Sequence, residues 1–271
     1  MQLKTVALFV LFSMFSDFSF AQNSFVFEYK DPSASTPLKL EAFLYEPPLS
    51  NGKVIVFSHG STGGKKESIA ESIKFMRIGK LAAERGYHLV SFMRKGRGKS
   101  EGAFVEETNR CDRDSLTWEV NDAYPQLMQV VEWSRKTFNT DKVILMGHSR
   151  GGFLSSYFAA RNPDKVLAAV NLAGVWSAFC EARNGGFSHD ALKDAATRFN
   201  NLYWAYFEND SYFASDRFGD PNYQWFTATA NAAGIRFKTY PQLDLKDGHL
   251  TPTWRPEVWA NDVFGWLETV K

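Results

Sequence analysis

Past its first twenty or so residues the chain alternates between two patterns. Short, wholly apolar runs give way to longer stretches whose apolar positions recur every three or four residues. Val54-Ile55-Val56-Phe57, His88 to Met93, Val143-Ile144-Leu145-Met146, Val166 to Leu172, Leu202 to Phe207 and Ile235 to Tyr240 are short and rich in β-branched and aromatic residues. Each reads as a strand covered on both faces. Between them, Ser68 to Arg85, Asp114 to Lys136, Tyr223 to Ala233 and Pro256 to Val270 carry helical spacing. Pro125 is expected to kink the second of these or to mark an early turn. Strands alternating with helices imply right-handed crossovers and a mostly parallel sheet, the α/β class. Ahead of them, Phe25 to Tyr29 and Leu38 to Tyr45 alternate apolar and polar residues and read as an opening antiparallel pair. The polar stretch from Cys180 to Asn200, with Asn184-Gly185-Gly186 and a helix-like run from Asp190 to Phe199, leaves room for only a small lid.

Composition narrows the picture. A chain of 271 residues with 44% hydrophobic content can bury one large core, and two compact domains would be a tight fit. Lysine and arginine number 31 against 30 acidic residues, and no basic run is longer than Lys65-Lys66, which excludes an electrostatic footprint for nucleic acid. Residues 1–21 differ in kind. Lys4 precedes an apolar run from Val6 to Phe15, and Ser19-Phe20-Ala21 supplies the small residues of a cleavage site. This reads as a secretory signal peptide, followed by a single domain over residues 22–271. Ser13, Ser16 and Asp17 interrupt the run too early for a membrane anchor of about 20 apolar residues, so a secreted or periplasmic protein without an anchor after cleavage is expected. Two cysteines, Cys111 and Cys180, then fit either one disulfide or two buried thiols. Both fall on the rim at the carboxyl side of the sheet, where a bridge would tie the long loop to the base of the lid, and a bridge is the expectation.

The chemistry centres on Val143 to Gly152. An apolar run meets Gly147-His148-Ser149-Arg150-Gly151-Gly152 and then Phe153-Leu154, which reads as strand, sharp turn, helix. A serine at the apex of such a turn takes strained backbone angles, and glycines on either side relieve the crowding as helix and strand converge. The amide of Arg150, at the helix start, would face a developing oxyanion. After the first parallel strand comes His59-Gly60-Ser61-Thr62-Gly63-Gly64. A phosphate loop fails here, because the glycine required six positions before Lys65 is His59.

In an open parallel sheet functional groups collect at the carboxyl ends of strands. Ser149, Asp210 and His249 each occupy such an end, in the order nucleophile, acid, base. This order and the elbow resemble the α/β-hydrolase pattern from roughly Leu38 to the carboxyl terminus, closest in appearance to the dienelactone hydrolase and exported esterase or peptidase branches. His59-Gly60-Ser61 resembles that family's oxyanion turn. Gly96-Arg97-Gly98-Lys99-Ser100-Glu101-Gly102 resembles its glycine-rich loop, and Lys95 stands where relatives often carry arginine, a departure that bears on loop packing. The resemblance makes His59 and His148 structural. Asp216, Asp244 and Asp247 are expected to be solvated.

The reading that follows is a serine hydrolase with an α/β-hydrolase fold. Ser149 is the nucleophile, His249 the base, Asp210 its orienting acid, and the Ser61 and Arg150 amides form the oxyanion hole. No His, Cys and carboxylate set at ligand spacing is present, and neither a metal nor an organic cofactor is required. The substrate is expected to be a small-molecule ester with a short or aromatic acyl group. The open mouth would be lined by Phe153, Trp176, Phe179, Tyr212 and Phe213, with Trp176 the exposed substrate contact. An amidase or peptidase fits the same triad, and a binding protein that keeps the fold without catalysis is the reading from another class.

Overall fold

Eight strands form one sheet in the order β1-β2-β4-β3-β5-β6-β7-β8. In this computed structural model, residues 21–61, 64–106, 110–181 and 186–271 are described. The signal-peptide reading and the Asn184-Gly185 pair lie outside them. β1 (Ala21–Tyr29) pairs antiparallel with β2 (Leu38–Glu46), which pairs antiparallel with β4 (His88–Phe92). The other neighbours, β3 (Val54–Ser58), β5 (Val143–His148), β6 (Val166–Leu172), β7 (Leu202–Phe207) and β8 (Arg236–Tyr240), run parallel with one another and with β4. The apolar runs are strands because both faces are covered. All five residues of β3 and all six of β7 are buried.

Two apolar layers flank the sheet. On one face α3 (Arg113–Thr137), α4 (Arg150–Arg161), α5 (Phe187–Arg198) and α6 (Gln224–Ala233) contribute Leu127, Val131, Leu154, Leu192 and Phe226 to a common core. The opposite face is covered by α2 (Met76–Glu84) and α8 (Glu257–Thr269), through Ile78, Ala82, Trp259, Val263 and Phe264. A four-residue helix, α7 (Thr251–Trp254), precedes the last one. Among the described residues no helix is long and apolar enough to cross a membrane.

Two elements differ from expectation. The single helix anticipated over Ser68 to Arg85 is two, α1 (Lys66–Ala70) and α2, separated by extended chain and by Phe75 at a left-handed φ of 52°. The interruption is pinned by tertiary contacts that outweigh local periodicity. Ser72 donates to the Glu41 carboxylate on β2 at 2.6 Å, and the Gly98 amide takes the Ile69 carbonyl at 2.8 Å. Of the two outcomes open for Pro125, the early turn is not found: the residue lies inside the 25-residue α3. Proline deprives the carbonyl four residues earlier of its partner. That residue is Asn121, which is exposed, so water can take the bond. Cys111 and Cys180 are joined, with sulfurs 2.04 Å apart. The bridge ties the chain ahead of α3 to the turn that follows β6.

Candidate active site

Ser149 stands alone between β5 and α4 with φ 55° and ψ −124°. A side chain in this region of backbone space is strained, and the surrounding packing must over-determine it. Gly151 shows how. A Cβ there would lie 2.0 Å from the Ser58 carbonyl oxygen at the end of β3, so only glycine lets the first turn of α4 settle against the sheet. The Ser149 amide donates to the Leu172 carbonyl at 2.9 Å, and its own carbonyl accepts from the Phe153 amide at 3.0 Å. Arg150 is the first residue of α4, so its N–H has no acceptor within the helix.

Asp210 follows β7 after Asn209, a residue that tolerates the left-handed φ of 54° found there. One carboxylate oxygen caps the next turn by accepting from the Tyr212 amide at 2.9 Å, and the other meets His249 Nδ1 at 2.8 Å. His249 sits in the turn after β8, where Gly248 passes so close to Asp210's turn that a Cβ would lie 2.0 Å from the Glu208 carbonyl. An imidazole donating Nδ1–H to a carboxylate presents Nε2 as a proton acceptor. Its ring is held on two sides, with Tyr212 at 4.2 Å and His148 at 4.7 Å between centroids. His148 Nε2 also donates to the His249 carbonyl at 2.8 Å, linking the residue before Ser149 to the turn that carries His249. Burial, and then the neighbouring His249, push the His148 imidazole down to about 3, so the ring is neutral.

Asp247 departs from expectation. It is half-buried and tied down: its carboxylate accepts from the His249 amide at 2.9 Å, the Ser211 amide at 3.0 Å and the Ser211 hydroxyl at 2.6 Å. It thereby clasps the acid's turn to the histidine's turn. Burial alone would raise this carboxyl, but the Ser211 and His249 bonds lower it.

The turn after β3 runs against Ser149. A Cβ on Gly60 would lie 2.9 Å from Ser149 Cβ, which places Ser61 next to the elbow. Behind this turn lies a buried polar assembly that the motifs did not disclose. The Arg94 amide donates to His59 Nε2 at 3.0 Å, so His59 carries its proton on Nδ1, which contacts the Gly60 carbonyl at 2.6 Å. Burial, with the Arg94 charge adding to it, holds this imidazole well below its ordinary value. The Arg94 guanidinium donates to the His59 carbonyl at 2.7 Å and the Gly60 carbonyl at 3.3 Å, and it grips Glu106 with both Nε and Nη2. Glu106 also faces Arg97 at 3.3 Å and Arg150 at 3.7 Å. Burial would raise its carboxyl, but the three guanidiniums, Arg94 foremost, hold it far below the usual carboxylate range.

Trp176 belongs to the same assembly and not to the mouth. It is 1% exposed; its indole N–H donates to Glu119 at 3.0 Å, and its carbonyl accepts from Arg150 Nε at 2.9 Å. Phe153 and Phe213 are likewise fully buried. Of the five aromatics expected at the mouth, Phe179, 55% exposed, and the half-buried Tyr212 are open to solvent, with the Arg217 guanidinium 4.5 Å from the Phe179 ring. Trp176 reads as exposed from its place after a strand. Buried, it meets Glu119, 57 residues away, a contact that no local pattern reveals. Among the described residues no group of three or more His, Cys, Asp or Glu is arranged to hold a metal ion.

Comparison with known proteins agrees with this fold. Similar solved structures include Est1E from Butyrivibrio proteoclasticus with ferulic acid bound (TM-score 0.60, 17% identity, 86% of this chain and 96% of that one). An esterase of Pyrococcus furiosus superposes with TM-score 0.61 at 11% identity, over 93% of this chain and 92% of its own. The acylaminoacyl peptidase of Pyrococcus horikoshii does so with TM-score 0.60 at 17% identity, over 92% of this chain and 41% of its own. By sequence, a human (lyso)-N-acylphosphatidylethanolamine lipase is 26% identical over 145 residues, 54% of this chain. That match spans 36% of the lipase's length. The family described as the alpha/beta hydrolase fold matches residues 53–256. This stretch is well over half of the sequence and holds all three residues of the Ser149, Asp210 and His249 set; the chain belongs to the α/β-hydrolase fold family.

Proposed function

We propose that this α/β hydrolase is an exported serine esterase. Ser149, His249 and Asp210 form its triad, and it acts on small-molecule esters with short or aromatic acyl groups. One observation carries the reading: a buried His249–Asp210 hydrogen bond of 2.8 Å on turns clasped to the strained serine elbow. In this reading His249 Nε2 takes the Ser149 proton as Oγ bonds to the acyl carbon, and the oxyanion is held by the Ser61 and Arg150 amides. The carbon–oxygen bond to the leaving group then breaks, and His249 returns the proton to the departing alcohol. Water repeats the sequence to free the acid and restore Ser149. Asp210 keeps the proton on Nδ1 throughout.

The likeness to esterases supports ester substrates, and the short span between β6 and α5 supports an open mouth that leaves long acyl chains uncovered. The signal-like residues 1–21 and the Cys111–Cys180 bridge support export to an oxidising compartment. A peptidase or amidase reading of the same triad draws on the likeness to an acylaminoacyl peptidase.

Labelling with a fluorophosphonate, together with turnover of p-nitrophenyl esters of graded acyl length and of aminoacyl amides, tests the proposal. Ser149→Ala is expected to lose labelling and at least about 10⁴-fold in kcat. Its thermal midpoint should stay level or rise, since functional sites carry strain. Undiminished turnover by Ser149→Ala would end this reading, and amide cleavage without ester cleavage would favour the peptidase.

A further inference from the structure

Resting on the triad reading, we infer that Arg94 and Glu106 are positioning residues that aim the oxyanion hole from behind, through backbone carbonyls and not through substrate. The argument is one of peptide geometry. A trans peptide holds its C=O and N–H antiparallel, and among the described residues no peptide is cis. The Gly60 carbonyl is taken by His59 Nδ1 at 2.6 Å and by Arg94 Nη2 at 3.3 Å. The N–H of the same peptide, that of Ser61, therefore points away from the guanidinium. The preceding plane is fixed in the same way, because the His59 carbonyl accepts from Arg94 Nη1 at 2.7 Å. Two consecutive peptide planes are thus set by one planar, forked cation, a task to which lysine's single ammonium is unsuited.

Arg94 could not do this alone. A guanidinium that is 1% exposed needs a counter-charge, and Glu106, 6% exposed, supplies it with both oxygens. Glu106 has a second partner at the site, the Arg150 guanidinium at 3.7 Å. Arg150 is anchored in turn by Nε to the Trp176 carbonyl, and Nη1 lies 3.5 Å from Glu119. The backbone amide of Arg150 is the second donor of the proposed hole. One buried carboxylate therefore sits between the side chain that orients the first donor and the residue that provides the second. Electrostatic stabilisation of an oxyanion depends on donors that are already in place when charge develops. Fixing both against a common charge achieves this without touching the substrate. Neither Arg94 nor Glu106 belongs to the elbow or the triad; both lie in chain between β4 and α3.

The test uses Arg94→Lys in the full chain and compares an oxoester with its thionoester. Sulfur accepts hydrogen bonds poorly, so an aligned hole favours the oxoester, whereas a misaligned one discriminates less. Arg94→Lys is expected to lower kcat for the oxoester by about 10- to 100-fold, within the loss seen when one donor is removed. KM should change little, and the oxoester-to-thionoester ratio of kcat/KM should narrow by a similar factor. A folded variant with wild-type kcat and ratio overturns the inference. So does one that loses both activities equally, since a merely structural role lowers the amount of active enzyme without altering discrimination. If Arg94→Lys does not accumulate as folded protein, Glu106→Gln is read by the same ratio with the same two outcomes. Failure of the triad reading is separate: Ser149→Ala with full turnover removes that reading. An inactive Ser149→Ala beside an unaltered ratio in Arg94→Lys removes the inference alone.

Discussion

Arg94 and Lys95 are neighbours in sequence, both buried, and both face carboxylates, yet they hold different parts of the fold. Arg94 turns towards β3 and grips the His59 and Gly60 carbonyls and Glu106 beside the elbow. Lys95 turns towards the edge of the sheet. Its ammonium meets Asp31, just after β1, at 2.8 Å and Asp122, on α3, at 2.5 Å, and its amide donates to Gln126 at 2.7 Å. Burial opposes the charged form of Lys95, but the bonds to Asp122 and Asp31 leave its amine above its ordinary value. The contrast teaches that a buried ion cluster is not in itself a sign of function. What separates the two is the backbone each one holds: a turn lying against Ser149 in the first case, the junction of an edge strand with a helix in the second.

The largest effect expected of any change that probes this division is loss of the disulfide. The bridge closes a sequence separation of 69 and anchors the chain a few residues past Glu106 to the turn after β6. Chain entropy assigns it about 4 kcal/mol. Because that stretch carries Glu106, reduction or Cys111→Ser should lower both the unfolding free energy and kcat, as read by urea titration and by ester turnover. A loss of stability with full kcat would detach the bridge from the site-facing cluster. Next in size is Lys95→Met, which leaves Asp31 and Asp122 without their cation and should cost about 3 kcal/mol. Its kcat and KM should stay within about twofold of wild type, because Lys95 holds Asp31, Asp122 and Gln126 and not the turn against Ser149. A tenfold fall in kcat in folded Lys95→Met would erase the distinction.

Acid should dismantle the two clusters in different windows. His148 titrates near 3 in the fold and His59 well below its ordinary value, whereas both take up protons near 6.5 when unfolded. The unfolded state then binds more protons, so stability falls as pH drops below 6.5, by up to about 1.4 kcal/mol per unit for each histidine. Asp31 behaves in a lower range. Burial raises its carboxyl, but bonds from Lys95 and Ser33 bring it down to about 2. Its stabilisation is complete above about pH 4 and is lost as pH falls through 2. In Lys95→Met both carboxyls lose the cation that favours their charged forms, and burial already holds Asp122 above the usual carboxylate range, so they take up protons at higher pH than in wild type. The unfolding midpoints of the two proteins should run parallel near neutral pH and converge as pH falls through the carboxylate range. Convergence near neutral pH would contradict the assignment.

How much of this was legible depended on distance along the chain. The elbow is local, five residues that read as a turn because an apolar run precedes them and a helical stretch follows, and the serine does carry the strained φ of 55°. Asp210 and His249 were legible from order and from their places at strand ends, and their hydrogen bond agrees with that reading. What stayed hidden was long-range. The break between α1 and α2 is set by Glu41 and Gly98, and Asp247 reads as one polar residue in a polar turn until Ser211 is brought to it. Glu106 becomes informative only once three arginines surround it, and Glu119 only once Arg150 and Trp176 are brought to it, since a carboxylate alone in a loop or on a helix reads as solvated.

The smallest effect concerns the boundary between the site's floor and its rim. Trp176 reads in the sequence as a substrate contact, and its burial leaves the exposed ring of Phe179 as the aromatic to test in that role. Trp176→Phe keeps most of the apolar volume but removes the N–H that Glu119 accepts. Leaving a buried carboxylate one partner short costs about 1 to 2 kcal/mol, visible as a lower unfolding midpoint. KM for an aromatic acyl ester should not move, because the indole is out of reach of solvent and so of substrate. Phe179→Ala should do the converse. The midpoint should hold, since a ring that is 55% exposed contributes little to folding. KM should rise about threefold, the equivalent of a fraction of a stacking contact, with kcat nearly unchanged as for lost uniform binding. If Trp176→Phe raised KM while Phe179→Ala did not, the floor and the rim would have to be exchanged.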